Sequence, residues 1–330
     1  MAHKFPAAGL AAAAGMFILI LDGKTALAGA AEGIELCIYT VIPALFPFFF
    51  LSPVLVSHLS PGSLRPLARW LGLPMGTEGL LIPAIFGGYP TGAQAVGRAW
   101  RSGALTKQEA ERALHFLNNA GPSFLFGMIG SRFSSPLAPW LLWGIHLTSA
   151  GMVAASLPRT SQTFRRKLSI SPVTFSQALS GAVKTMGLVC GWIVIFRILL
   201  TFLQRWLLWM LPVGIRVLVC GLLELSNGCC MLTEIGNESL RFLVCSVLLA
   251  FGGGCVAMQT GAVIPGLSLL PYLKGKLMQT IYALSLSCLI QPDIPGGIKG
   301  ILICAGAGLF FWVRIDMRKN NSSNPEVIVV

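Results

Sequence analysis

Glu224 lies in Leu222-Leu223-Glu224-Leu225-Ser226-Asn227-Gly228, an ionisable group inside an otherwise apolar stretch. A carboxyl at membrane depth is costly and marks a functional position by default. There it can bind a cation, relay a proton or hydrogen-bond a solute. If the segment folds shallowly, it is only an interfacial residue. Three further clusters put amides, hydroxyls and bare backbone in apolar surroundings. They are Gly88-Tyr89-Pro90-Thr91-Gly92, then Asn118-Asn119-Ala120-Gly121-Pro122-Ser123, then Gly252-Gly253-Gly254 with Gln259 beyond. Side-chain amides and hydroxyls supply both donors and acceptors, so such clusters can hold a small polar solute. The plainer reading of the glycines is close helix packing.

Other titratable residues carry less. Lys184 is read as snorkelling from a helix end. Arg197 either steers an anion or snorkels outward. His146 is read as a hydrogen-bonded packing histidine, and His115 has no metal-ligand partner at useful spacing. The nine cysteines sit almost all in apolar runs without a C-x-x-C, which reads as packing. No H-E-x-x-H, G-x-S-x-G or G-x-x-x-x-G-K-[ST] occurs. The expectation is therefore a protein that is not an enzyme, with no cofactor and no metal.

Composition sets the frame for these residues. The chain is 55% hydrophobic and only 11% charged, where a soluble domain carries about 25% charged residues. A bilayer is the solvent that suits such a surface. The net charge of +12 sits in short loops rather than in a basic stripe with aromatics, so topology explains it better than nucleic acid does.

Ten apolar segments follow one another: 7–21, 34–57, 79–97, 113–131, 137–157, 179–203, 207–232, 240–263, 272–290 and 298–315. Each of about 20 apolar residues can span the hydrocarbon core. Segments 79–97 and 207–232 are broken by Pro and Gly in mid-run, and are read as re-entrant hairpins, since irregular backbone survives at that depth only when buried or lining a cavity. With the N-terminus inside, that reading places most Lys and Arg on one side, among them Arg65, Arg69, Arg98, Arg101, Lys107, Arg112, Arg159, Arg165, Arg166, Lys167, Lys274 and Lys276.

The expected fold is an all-α membrane protein of about eight transmembrane helices plus two re-entrant hairpins, arranged as an inverted repeat. Its parts are 1–33, an N-terminal membrane helix that could also be read as a signal-like segment ending near Ala26-Leu27-Ala28; 34–157, a first repeat; 158–178, a cytoplasmic loop; 179–316, a second repeat with the last membrane helix; and 317–330, a cytoplasmic tail. Matching Gly33 with Gly181 also matches Val41 with Val189, Phe48 with Phe196 and Leu51 with Leu199. Paired interrupted segments in two halves point to a transport site near mid-depth.

Three stretches resemble a known family: Val41-Ile42-Pro43-Ala44-Leu45-Phe46-Pro47-Phe48, Gly88-Tyr89-Pro90-Thr91-Gly92-Ala93, and Leu105-Thr106-Lys107-Gln108-Glu109-Ala110 followed by Asn118 to Gly127. They resemble the YlbJ/SpoVV-type sporulation integral membrane proteins, of the wider Gate group of nucleoside-recognition domains. The resemblance is most specific over 30–157 and looser over 179–316. It implies a multi-pass protein of the cell membrane or outer forespore membrane, acting in cortex formation and moving dipicolinate. Gly88, Tyr89, Pro90, Thr91, Gly92, Asn118, Asn119, Gly121, Ser123, Glu224, Ser226, Asn227, Gly252, Gly253, Gly254 and Gln259 are the expected solute-binding residues. The partners expected are the lipid bilayer and a small solute, an anion among the choices, and no nucleic acid. A homo-oligomer is left open. A nucleoside carrier and a non-transporting scaffold for spore-envelope assembly are the alternatives.

Overall fold

The computed structural model describes residues 6–58, 61–159, 173–291 and 293–322. All regular structure among them is helical: α1 (Pro6–Leu21), α2 (Gly23–Leu36), α3 (Ile42–His58), α4 (Arg65–Trp70), α5 (Leu81–Ile85), α6 (Thr91–Arg101), α7 (Lys107–Leu114), α8 (Pro122–Phe124), α9 (Ala138–Ser156), α10 (Phe175–Trp206), α11 (Val213–Leu223), α12 (Leu225–Cys230), α13 (Glu238–Phe251), α14 (Gly253–Val263), α15 (Leu270–Ile290) and α16 (Gly296–Ser322). Arg165, Arg166 and Lys167 of the expected cytoplasmic loop, and the end of the tail, lie outside the described residues.

Among the described residues, four stretches are long and apolar enough to cross a membrane: Gly23–His58, Phe175–Trp206, Glu238–Val263 and Gly296–Ile315. The first is α2 and α3 joined through a π-helical turn at Cys37–Val41. It begins well before the apolar segment at 34 because Asp22 caps α2, accepting from the Thr25 N–H, and Arg205 holds the same carboxylate at 3.0 Å. Gly29 and Gly33, four residues apart, let α2 lie directly on α10. A methyl at Gly33 would sit 3.0 Å from the Val194 Cα, which is the close approach that paired small residues permit. α9 and α15 are of similar length but carry His146, Lys276 and Gln279, all buried.

Both segments read as hairpins do turn back on themselves. In the first, α5 stops at Phe86, the chain turns through Gly88 (φ 72°) and a cis Tyr89–Pro90 bond, and α6 returns. Thr91 Oγ1 ties the turn by donating to the Gly88 and Pro83 carbonyls at 2.7 and 3.2 Å. In the second, α11 breaks at Glu224 and α12 follows. Its two feet are joined where Arg216 meets Glu234 at 2.7 Å.

The feet lie at opposite ends of α9. Arg112 donates to the carbonyls of Leu71 and Gly72, before the first hairpin, and to those of Ala154 and Pro158 at the C-terminal end of α9. Arg241 donates to Ile235, after the second hairpin, and to Arg132, six residues before α9 begins. Nineteen residues at 1.5 Å each separate those ends by roughly 28 Å. Arg112 is thus a buried clamp on four carbonyls, not the free loop charge the topology reading made it.

Candidate functional site

The two remaining breaks face the hairpins. The chain after α7 opens through Asn118–Gly121, and α13 stops at Gly252 (φ 82°) and Gly253 (φ 84°). In each half, glycine lets the broken helix touch its own hairpin backbone to backbone. A methyl on Gly121 would lie 2.9 Å from the Gly88 nitrogen, and one on Gly253 would lie 2.9 Å from the Gly221 oxygen. Gly92 packs against the Leu117 carbonyl and Gly254 lies beside the Leu223 carbonyl. These contacts explain why small residues crowd the four breaks.

Three of the breaks, together with Val256 and Gln259 of α14 beyond the fourth, line one small cavity of about 30 Å³. Gly88, Tyr89, Gly121, Glu224, Ser226 and Gln259 line it, together with Val41 of the π-helical turn, Leu45 of α3, and Val189 and Ile193 of α10. Such a volume holds about one water, so the site is closed in this conformation.

The other expected residues support the cavity without lining it. Asn118 accepts from the Ala93 N–H at 3.3 Å and donates to Thr260 at 2.9 Å, linking the first hairpin to α14. Asn227 donates both its N–H and its side-chain amide to Glu224. Pro90 and Thr91 shape the turn. Gly252 lies under the Tyr89 ring, where a methyl would come within 3.2 Å. The Ser123 hydroxyl is buried without a hydrogen-bond partner among the described residues.

Glu224 is 2% exposed, and its carboxylate is engaged locally. It accepts from Ser226 N–H at 3.0 Å, Asn227 N–H at 2.7 Å and the Asn227 amide at 2.6 Å. It is the N-cap of α12, satisfying donors that a helix start leaves unpaired.

Sequence reasoning missed the strongest polar cluster. Lys276, counted with the inside charges at the start of segment 272–290 by the topology reading, is wholly buried on α15, while Lys274 is exposed. Gly275 makes this fit by letting α15 press onto the backbone of His115. The Lys276 ammonium donates to Gln279 Oε1 at 2.7 Å, Tyr89 Oη at 3.1 Å and Asn119 Oδ1 at 3.4 Å. It also lies over the rings of Tyr89 and Tyr272, 5.0 and 5.8 Å from their centroids. Gln279 in turn donates to Asn119 Oδ1 and the His146 carbonyl, and the His146 Nε2 faces the Ala120 N–H at 3.0 Å. Every oxygen around Lys276 is neutral. Among the described residues no carboxylate forms an ion pair with it. Tyr89 joins the two systems, with its ring on the cavity and its hydroxyl between Lys276 and the Leu249 carbonyl. Arg197 takes no part, since Glu32 of α2 holds it.

Four membrane-length apolar helices and a buried polar centre define an integral membrane protein. Among curated proteins, the chain is similar to the sporulation integral membrane protein YlbJ of Bacillus subtilis strain 168, with 25% identity over 305 residues, spanning 76% of this chain and 74% of the relative. No family model matches the chain, and no solved structure matches it.

Proposed function

We propose that this protein is a multi-pass permease for a small polar or anionic solute, with two Gate-type halves arranged as an inverted repeat around the closed cavity. The observation that carries this is that both hairpin turns, the Ala120–Gly121 break and α14 beyond the Gly252–Gly253 break line one small space. Solute sites of secondary transporters are built from interrupted helices of two such halves. Val41 and Val189, matched by the internal alignment of the sequence, both line the cavity, and the hairpins rise from opposite ends of α9. Lys276, a buried amine with only neutral partners, would find its counter-ion in an anionic solute, which favours an anion over a neutral one. The relative's name places it in sporulation, which makes dipicolinate at a forespore membrane the first solute to test.

The cavity is far smaller than that solute, so transport requires the hairpins to part. Proteoliposomes holding the purified chain are expected to take up radiolabelled dipicolinate saturably, with uridine failing to compete. Competition by uridine would make it a nucleoside carrier. Intact protein that moves neither would favour the scaffold, and the permease would be withdrawn.

A further inference from the structure

The cavity is not the only space on the seam between α3 and α10. Val41, which ends the π-helical turn, and Leu45 of α3 line it, and the next turns of the same face, Phe49, Ser52 and Val56, line a second space of about 350 Å³. On α10, Ile193 and Val189 line the cavity, and Thr185 and Gly181 line the second space. A spacing of four residues keeps each stripe on one helix face. The stripes run in opposite chain directions, so the two spaces stand in file along one seam. The first hairpin covers the larger one with Pro83, Thr91, Gln94 and Arg98. It widens from buried Phe49 and Leu80 to exposed Arg98, Ser102 and Gly181 at its mouth.

We propose that this vestibule is a second solute site, which takes a small organic anion on its way to the central cavity. The inference rests on the permease reading and adds the direction of approach. The volume falls in the range of about 300–1,000 Å³ found for small-molecule sites. Ser52 and Thr185 are 8% and 5% exposed and face the space from opposite helices. Among the described residues their hydroxyls make no hydrogen bond to the protein. Neither oxygen is among the fully enclosed side-chain atoms that lack a partner, so each opens onto the space, where a ligand or water can satisfy it. Among the described residues Arg98 is the charged residue of the lining, and no carboxylate lines the space. The wall therefore offers hydroxyl and amide donors with one positive charge, which suits a carboxylate. Phe49, 3% exposed, stands one turn from Leu45 and closes the way inward.

Thiol chemistry tests this in the full chain in proteoliposomes. Ser52→Cys and Thr185→Cys are treated with sulfonatoethyl methanethiosulfonate, an anion, and with its trimethylammonium analogue, a cation. Each rate is normalised to that of a free thiol, and the unsubstituted chain supplies the background from its exposed Cys304. Gly181→Cys at the rim must react if the protein is folded. Both inner thiols are expected to react, the anion faster, and Arg98→Gln is expected to remove a roughly tenfold advantage, as a nearby unit charge at surface dielectric allows. Inner thiols that stay silent while Gly181→Cys reacts, a preference for the cation, or a preference that survives Arg98→Gln would each overturn the proposal. Dipicolinate uptake by the same vesicles separates the two readings. Uptake with no such labelling strikes the vestibule alone, and labelling without uptake strikes the permease.

Discussion

Glu224 and Lys276 are both buried ionisable groups, yet their surroundings give them different work. Glu224 has three donors on its two oxygens and serves as a helix cap. Glu224→Gln replaces one acceptor by a donor, so α12 loses part of its cap. The expected cost is about 1–2 kcal/mol, read as a lower melting temperature in detergent with dipicolinate KM little changed. Lys276 has a buried amine and neutral partners. Lys276→Met relieves the burial of the amine but leaves Gln279 Oε1 without its donor, at an expected cost of about 1–3 kcal/mol, so the variant should melt somewhat lower than the parent. Its dipicolinate KM should rise about tenfold or more if the ammonium attracts the anion across Tyr89. An unchanged KM would reduce Lys276 to a structural residue. Glu224 was legible in the sequence because it interrupts an apolar run. Lys276 was not, because it sits two residues from a second lysine near a helix start, where a loop charge is the ordinary reading. Only the fold, through Gly275 against His115, shows that the two lysines part company.

At the level of elements, the breaks carry the architecture, and glycine lets them meet. Gly92 has no room for a methyl because the Leu117 carbonyl occupies the place, whereas Gly214 has nothing within 4 Å. Gly92→Ala is expected to destabilise by about 1–3 kcal/mol or more and lower the yield of folded protein. Gly214→Ala should leave yield unchanged, and equal yields from the two would contradict the close approach. Arg112→Gln removes donors from four carbonyls and should loosen the end where α9 meets the first hairpin. Faster amide exchange at Leu71–Leu73 and Ala154–Pro158 would report it. The positions of all four breaks could be read from Pro and Gly in apolar runs. Which break touches which could not, because those contacts join residues far apart in sequence, as Asn118 joins Thr260 and Tyr89 joins Leu249. The apolar segment read from residue 34 belongs to a longer helix, because the Asp22 cap and the pairs of Arg205 with Asp22 and Arg197 with Glu32 join distant residues that sequence alone does not bring together.

Across the whole molecule, the reading depends on two hairpins that approach one cavity from opposite ends. Impermeant thiol labelling of oriented vesicles measures this directly. Cysteines would replace Met75 and Ser102, flanking the first hairpin, and Trp209 and Gly236, flanking the second. The account predicts that Met75→Cys and Ser102→Cys react from one side of the bilayer, and that Trp209→Cys and Gly236→Cys react from the other. Labelling of the two flanks of either hairpin from opposite sides, or of all four positions from the same side, would contradict it.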